Sequence, residues 1–228
     1  RVPGIGGGID ILSASPSAAD AVFPASMLGD WQCQRALTQV EGDAGQAEVA
    51  WRALGGFGEE AFANLKVETF ATRFVIPPAG IPNMYSFEGE TVAGVVQDRA
   101  FELQQRMPTA QLISWDPKAA DVLKYRTEAG STELAVVQRS IELPSEKGFG
   151  SNEFVRITTT SSSLLGEQTL QRAVRVQRRW RRAFDQDGRR VVEGLELVKT
   201  FRVLDGVAGA EMPTSTTKSQ IRLTRTSP

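Results

Sequence analysis

Apolar residues recur at every second position through most of this chain, the spacing of half-buried strands rather than of helices. Within Phe23 to Val40, Trp31, Cys33, Arg35 and Leu37 share one strand face, and Asp30, Gln32, Gln34 and Ala36 share the other. From Leu65 to Ile76 the pattern returns: Glu68, Phe70, Thr72, Phe74 and Ile76 oppose Val67, Thr69, Ala71, Arg73 and Val75. Pro77-Pro78 stops that run. Short strands are then expected over Gln111 to Trp115, Asp121 to Thr127, Thr132 to Leu143 and Asn152 to Thr160. Asp116-Pro117, Ala129-Gly130 and Gly148-Phe149-Gly150 supply the breaks between them.

A long hairpin follows. Leu170, Val174, Val176, Trp180 and Phe184 lie in phase on one strand, Asp185-Gln186-Asp187-Gly188 makes the turn, and Val191, Leu195, Leu197, Phe201 and Val203 return. A helix over 168–184 competes, because Leu170, Ala173 and Val174 also fit a 3.6 period, but the β-like partner beyond the turn favours the strand. Thr217 to Thr226 reads as a last strand that closes beside the first. Helices are expected only at Gln46 to Ala53 and at Val92 to Met107, where Pro108 ends the run, and Ala79 to Phe87 reads as loop. The fold class is therefore mainly β, an antiparallel barrel of about eight to ten strands with a short helical insertion. Gly29-Asp30-Trp31 at the start of the first strand matches the Gly-x-Trp that plugs one end of many lipocalin-like barrels, with Gly29, Trp31 and Arg35 as the plug residues.

Two units are expected. Residues 1–22, rich in Gly, Ala, Ser and Pro and without a sustained period, form an N-terminal extension; 23–228 form one barrel domain. Ala19-Asp20-Ala21 has the small-x-small form accepted by signal peptidases, and the chain does not start with Met, so a processed, exported protein is expected, cut upstream of Arg1. No apolar run approaches the roughly 18 residues that span a bilayer.

Composition narrows the chemistry. The 228 residues contain no His and one Cys, Cys33, which removes the usual general base and the commonest metal ligand. No catalytic residue, metal or cofactor is expected, and Cys33, inside a strand-like run, reads as a buried small hydrophobe. Asp20, Asp30, Glu41, Asp43, Glu48, Glu59 and Glu60 read as surface charge: nothing fixes a catalytic carboxylate separation, and the spacing around Asp43 is not that of a calcium loop. Gly4-Ile5-Gly6-Gly7-Gly8 follows no strand and fails as a phosphate loop, and Ser162 and Ser163 have no base.

The net charge is −1, which gives no general reason to expect nucleic acid. Charge is nevertheless polarised along the chain. Residues 172–202 carry ten basic and four acidic residues, whereas residues 1–70 carry four basic and nine acidic ones. The densest cluster is Arg178-Arg179-Trp180-Arg181-Arg182, where Arg179 and Arg181 share a face with Arg175 while Arg178 and Arg182 flank Trp180. Two readings of it stand: a solvated face with Glu193 and Glu196 as cross-strand partners, or a docking patch for an acidic protein surface.

Phe23-Pro24, Leu28-Gly29, Trp31 to Arg35, Val40 to Asp43, Gln46-Ala47-Glu48 and Ala50 to Gly55 form a block that resembles an uncharacterised family of thylakoid lumen proteins from algae, plants and cyanobacteria. Val96 with Asp98 to Phe101, and Trp115-Asp116-Pro117, extend the resemblance. It implies a lipocalin-like barrel, residence in the chloroplast thylakoid lumen peripheral to the membrane, and association with photosystem II core subunits as an assembly or repair factor. Docking is then expected through the Arg175 to Arg182 surface or the Glu41 to Asn64 insertion, with Trp51 and Arg52 as anchors. A second expectation, of another class, is a carrier of a pigment, quinone or lipid inside the barrel. It requires that Trp31, Phe70, Phe74, Trp115, Trp180 and Phe201 leave the interior open.

Overall fold

The computed structural model describes residues 20–56, 62, 64–65, 67–80, 83–163, 166–202 and 212–226. Its strands are β1 Gly29–Gly42, β2 Val67–Val75, β3 Met84–Phe87, β4 Glu90–Ala93, β5 Val96–Gln97, β6 Gln111–Trp115, β7 Val122–Thr127, β8 Gly130–Ser145, β9 Gly148–Ser163, β10 Gly166–Phe184, β11 Arg190–Phe201 and β12 Ser215–Arg225. The helices are α1 Ala44–Ala53 and α2 Arg99–Arg106. Ten strands form one antiparallel curled sheet in the order β5-β2-β1-β12-β11-β10-β9-β8-β7-β6, and β3 and β4 form a separate hairpin. The alternation of the sequence is thus read correctly as a β fold, and β12 does lie beside β1, with Cys33 opposite Leu223.

Closure is the difference. Among the described residues β5 and β6 are the two edges and do not pair with each other, so the sheet is a half-barrel rather than a closed one. Helix α2 connects those edges and packs on β2 and β6. A helix laid over the seam covers edges that would otherwise offer free backbone groups.

That helix is shorter than the expected Val92 to Met107. Val92, Val95 and Val96 are β-branched and go into strands and a bridge, with Phe23 and Val95 exchanging backbone hydrogen bonds of 2.8 and 2.9 Å. Gly94 lets this crossing happen, because a Cβ there would collide with Val22 and the Phe23 carbonyl. The helix starts where Asp98 accepts a bond from the Phe101 N–H at 2.9 Å. The same crossing draws Asp20, Ala21 and Val22, expected as part of the 1–22 extension, into the buried body. Residues 1–19, Glu59, Glu60 and Val203 lie outside the described residues.

Three smaller expectations change. Met84–Phe87, expected as loop, pairs with Glu90–Ala93. Gly148-Phe149-Gly150, expected as a turn, is inside β9: a Cβ on Gly148 or Gly150 would strike the carbonyl of Trp180 or Arg178 on β10, and Phe149 is buried edge-on to Phe23. The β11 face is also reversed. Trp180 stands opposite Gly194, Val176 opposite Val198 and Val174 opposite Thr200, so the inward set is Val192, Gly194, Glu196, Val198 and Thr200. Phe201 stacks on Phe154 of β9 instead, at 5.5 Å and 19°.

Candidate functional site

Inward positions of a sheet are ordinarily apolar, and one end of this one obeys. Trp31, Cys33, Phe70, Phe74, Phe149, Trp180, Ile221 and Leu223 pack together with Phe23 and Met27. Halfway up the concave face, the inward phase turns to charge. Arg35 is in phase with Trp31 on β1, Glu68 with Phe70 on β2, Arg178 with Trp180 on β10, and Glu196 with Val198 on β11, and all four converge. Arg35 reaches Glu68 at 2.5 Å and Glu196 at 3.2 Å, and Arg178 reaches the other oxygen of Glu196 at 2.7 Å. From α2, Arg106 hydrogen-bonds Glu102 at 3.3 Å and stands 3.9 Å from Glu68. Glu102 also takes bonds from Thr72 at 2.7 Å and from Gln97.

A second knot joins the far side of α2 to β8 and β9. Arg99 binds Asp20 at 2.6 Å and Glu153 at 2.9 Å, while Arg139 binds Glu153 at 2.7 Å and Asp121 at 2.8 Å. Burial alone would raise the Glu196 carboxyl, but the guanidiniums of Arg178, Arg35 and Arg106 outweigh that and hold it at about 2. Glu153 is likewise kept below the carboxylate range: burial raises it, and Arg99 and Arg139 pull it further down. Burial pushes the Cys33 thiol up, with Glu102 adding to it. Burial, with Arg35 as a like-charged neighbour, lowers Arg106.

Two cavities border this network. The larger, about 90 Å³, lies between α2 and β7 to β10, and the smaller, about 30 Å³, lies toward Trp180. Gln97, Glu102, Arg106 and Arg178 line both.

The residues singled out from sequence scatter over different parts of the fold. Gly29 takes φ +108°, and Trp31 donates its Nε1–H to the Met27 carbonyl at 2.6 Å, with the Arg225 guanidinium 5.1 Å from its ring. Arg35 belongs to the ion-pair network and also lies 3.7 Å over the Trp51 ring. Trp51 is therefore no exposed anchor. It is 3 % exposed, packed with Leu37, Ala47 and Phe62, because its helical phase points α1 at the sheet. Arg52, one residue on, is outward and pairs with Glu48 at 2.7 Å. Asp43, read as surface charge, caps α1.

The arginine cluster is not one surface. Arg178 points inward to Glu196, and Arg182 stands at the exposed end of β10, 5.8 Å from the Phe87 ring. Arg179 and Arg181 face out and are matched to Glu142 at 3.2 Å and Glu193 at 2.6 Å; Arg175 binds Asn152 at 2.8 Å. Glu193 and Glu196 are thus both cross-strand partners, on opposite faces.

A different outward group emerges from the register. Arg175 stands directly opposite Lys199, Arg156 on β9 is two register positions along, opposite Ala173, and Lys218 faces Leu197 on β12. Each is flanked along its strand by buried residues, so all four project from the convex side. Among the described residues no carboxylate is within ion-pair distance of any of them.

Sequence reasoning missed Glu68, Arg99, Glu102, Arg106, Arg139 and Glu153. The signal was present for Glu68 and Glu153, which occupy the inward phase of otherwise apolar runs; Arg139 reaches the inward side only through the bulge between Val136 and Gln138, and on α2 no such signal existed.

No helix among the described residues is long and apolar enough to cross a membrane. No curated protein and no solved structure matches the chain. A family described as a domain of unknown function, DUF6816, matches residues 15–227, nearly the whole chain, which therefore belongs to that family.

Proposed function

We propose that this protein is a non-catalytic auxiliary factor of the thylakoid lumen that docks on the lumenal face of photosystem II during assembly or repair. The observation that carries the docking part is Arg175 facing Lys199 on the convex sheet, with Arg156 and Lys218 beside them and, among the described residues, no carboxylate within ion-pair distance of any of the four. Like charges directly opposite each other on a sheet destabilise it. An acidic protein surface laid across β9 to β12 removes that repulsion and gains charge complementarity, so the cost in the free protein is recovered in the complex. The lumenal and photosystem parts rest on the resemblance of the Phe23 to Gly55 block.

The interior supports a binding role over catalysis. Glu196 and Glu153 are held ionised far below neutral, Cys33 is held as a thiol, and the guanidiniums are permanently charged. A general acid or base needs to exchange its proton near the working pH, and these groups do not. The carrier alternative has less behind it. The larger cavity, about 90 Å³, is well below the roughly 300–1,000 Å³ that holds a drug-sized ligand, and Trp31, Phe70, Phe74 and Trp180 fill the end beneath it.

The test is affinity purification of the tagged chain from mildly solubilised thylakoids, with mass spectrometry of what co-elutes. Photosystem II core subunits at stoichiometric level, lost in a Lys199→Glu/Lys218→Glu variant with undiminished thermal stability, are expected. Core subunits retained by the variant would overturn the convex-face assignment, and a chain eluting without them would overturn the photosystem reading.

A further inference from the structure

The outward cations of the convex face form a line rather than a round patch. Arg156 on β9 lies opposite Ala173, Arg175 on β10 opposite Lys199 on β11, and Lys218 on β12 opposite Leu197. From strand to strand the charges therefore step two residues along, then none, then two again in the same direction. With strands about 4.8 Å apart and two residues spanning about 6.8 Å, this is a diagonal about 20 Å long across four strands. Among the described residues no carboxylate is within ion-pair distance of any of the four. The bond from Arg175 Nε to Asn152 at 2.8 Å uses only one of that guanidinium's N–H groups.

One flank of the line is apolar. Phe154, opposite Arg175, and Leu197, opposite Lys218, are both half-buried, and Leu195 lies two residues further along β11. A matching partner is thus linear, negative along one side and apolar along the next. An extended chain laid here would bury backbone N–H and C=O groups without partners, because a sheet face presents side chains only. A helix pairs its own backbone and stacks residues three and four apart on one side. Carboxylates four, eight and eleven residues after a first one span about 17 Å, and the Arg and Lys stems cover the few ångströms that remain. A nucleic acid strand is also a linear anion, but its bases need aromatic faces to stack on. The ring beside this line, Phe154, is already stacked on Phe201.

We propose that the convex face receives one acidic amphipathic helix of its partner protein, lying along the diagonal from Arg156 to Lys218 with its carboxylates on the four cations and its apolar side on Phe154 and Leu197. This rests on the docking reading above and narrows it from an acidic surface to a single element.

The experiment uses two labelled, capped peptides of about four helical turns. In one, glutamates recur at the spacing given above with leucines on the adjoining side and alanines elsewhere; in the other, the same residues are shuffled so that the glutamates point all round. Both are verified as helical by circular dichroism. The intact chain is titrated into each at low salt and followed by fluorescence anisotropy, with an oligothymidylate as third probe. The patterned helix should bind with a dissociation constant on the order of 10 μM, weakening as salt is added. The shuffled peptide should bind about tenfold more weakly, since only part of its charge meets the line. Lys199→Gln with Lys218→Gln should weaken the patterned peptide about tenfold, and loss of the charge opposite Arg175 keeps that variant folded. Arg179→Gln, off the line and paired with Glu142, should change binding less than about twofold. No saturation by the patterned peptide, equal binding of the shuffled one, preference for oligothymidylate, or an Arg179→Gln effect equal to that of the double variant would each overturn the proposal. Core subunits that co-elute from thylakoids without any peptide binding would overturn the helix and leave the docking face standing. Peptide binding without those subunits would support the helix and overturn the photosystem partner.

Discussion

Arg35 and Glu196, 161 residues apart in the chain, meet at 3.2 Å across an intervening strand. β12 lies between their strands, and its inward residue opposite Glu196 is Ser219, small enough for both longer side chains to reach over it. The pair ties the first strand to the eleventh through side chains alone. Removing one partner leaves the others charged and desolvated, so Glu196→Gln should destabilise the fold by about 3–5 kcal/mol. Urea denaturation measures it as a fall in midpoint at unchanged slope. A shift under about 1 kcal/mol would mean that water enters the network and screens it.

That network marks the limit of what alternation can convey. A period of two assigns residues to faces, and on β1, β2 and β10 it does so correctly, Arg35, Glu68 and Arg178 included. On β11 it fails, because Val191, Leu195, Leu197 and Phe201 outnumber the apolar residues of the face that is buried. Glu196 and Gly194 sit on the inward face for reasons that only the partner strand supplies: Arg178 needs a carboxylate, and Trp180 needs an empty position. Likewise Trp51 looks like an anchor in the sequence, since a single Trp on a short helix carries no sign of which side the sheet lies on. The open seam between β5 and β6 is a matter of strand pairing, which residue periodicity does not encode.

Gly194 offers a direct check on that packing. A Cβ there would fall among the ring carbons of Trp180, whose indole lies flat over the glycine. Trp180 is buried at the charged end of the core cluster, with Phe149 and Val192 nearby in the same group. Gly194→Val should push the ring off and cost about 1–3 kcal/mol by overpacking. Tryptophan emission should move to the red in the folded variant, and unchanged emission with unchanged stability would contradict the face assigned to β11.

Cys33 should be chemically silent in the native state. It is buried between Trp31 and Arg35 on β1, faces the packed end of the sheet, and its thiol is pushed up by burial. The thiolate is the reactive form, so a disulfide-exchange reagent should label the native protein only as fast as it opens, and label it fully in guanidinium chloride. Labelling within minutes under native conditions would show that the Phe70 side of the cluster opens locally.

Stability should be flat across neutral pH and fall only in acid. With no His in the sequence, no side chain titrates at its ordinary value between about pH 6 and 8. Glu196 and Glu153 have native values below their unfolded ones, Glu196 at about 2. Under acid the unfolded chain therefore binds more protons than the native one, and stability falls with pH. The contribution is complete above the unfolded carboxylate value, near pH 4.5, and drains away as the pH drops toward 2. Thermal unfolding followed by circular dichroism from pH 8 down to pH 3 should give a plateau and then a decline. Glu196→Gln should show a lower plateau and a shallower acid slope, because the proton that Glu196 takes up on unfolding is gone. A drop already between about pH 7 and 6 would mean that a carboxylate in the network titrates far above the value its arginine partners impose.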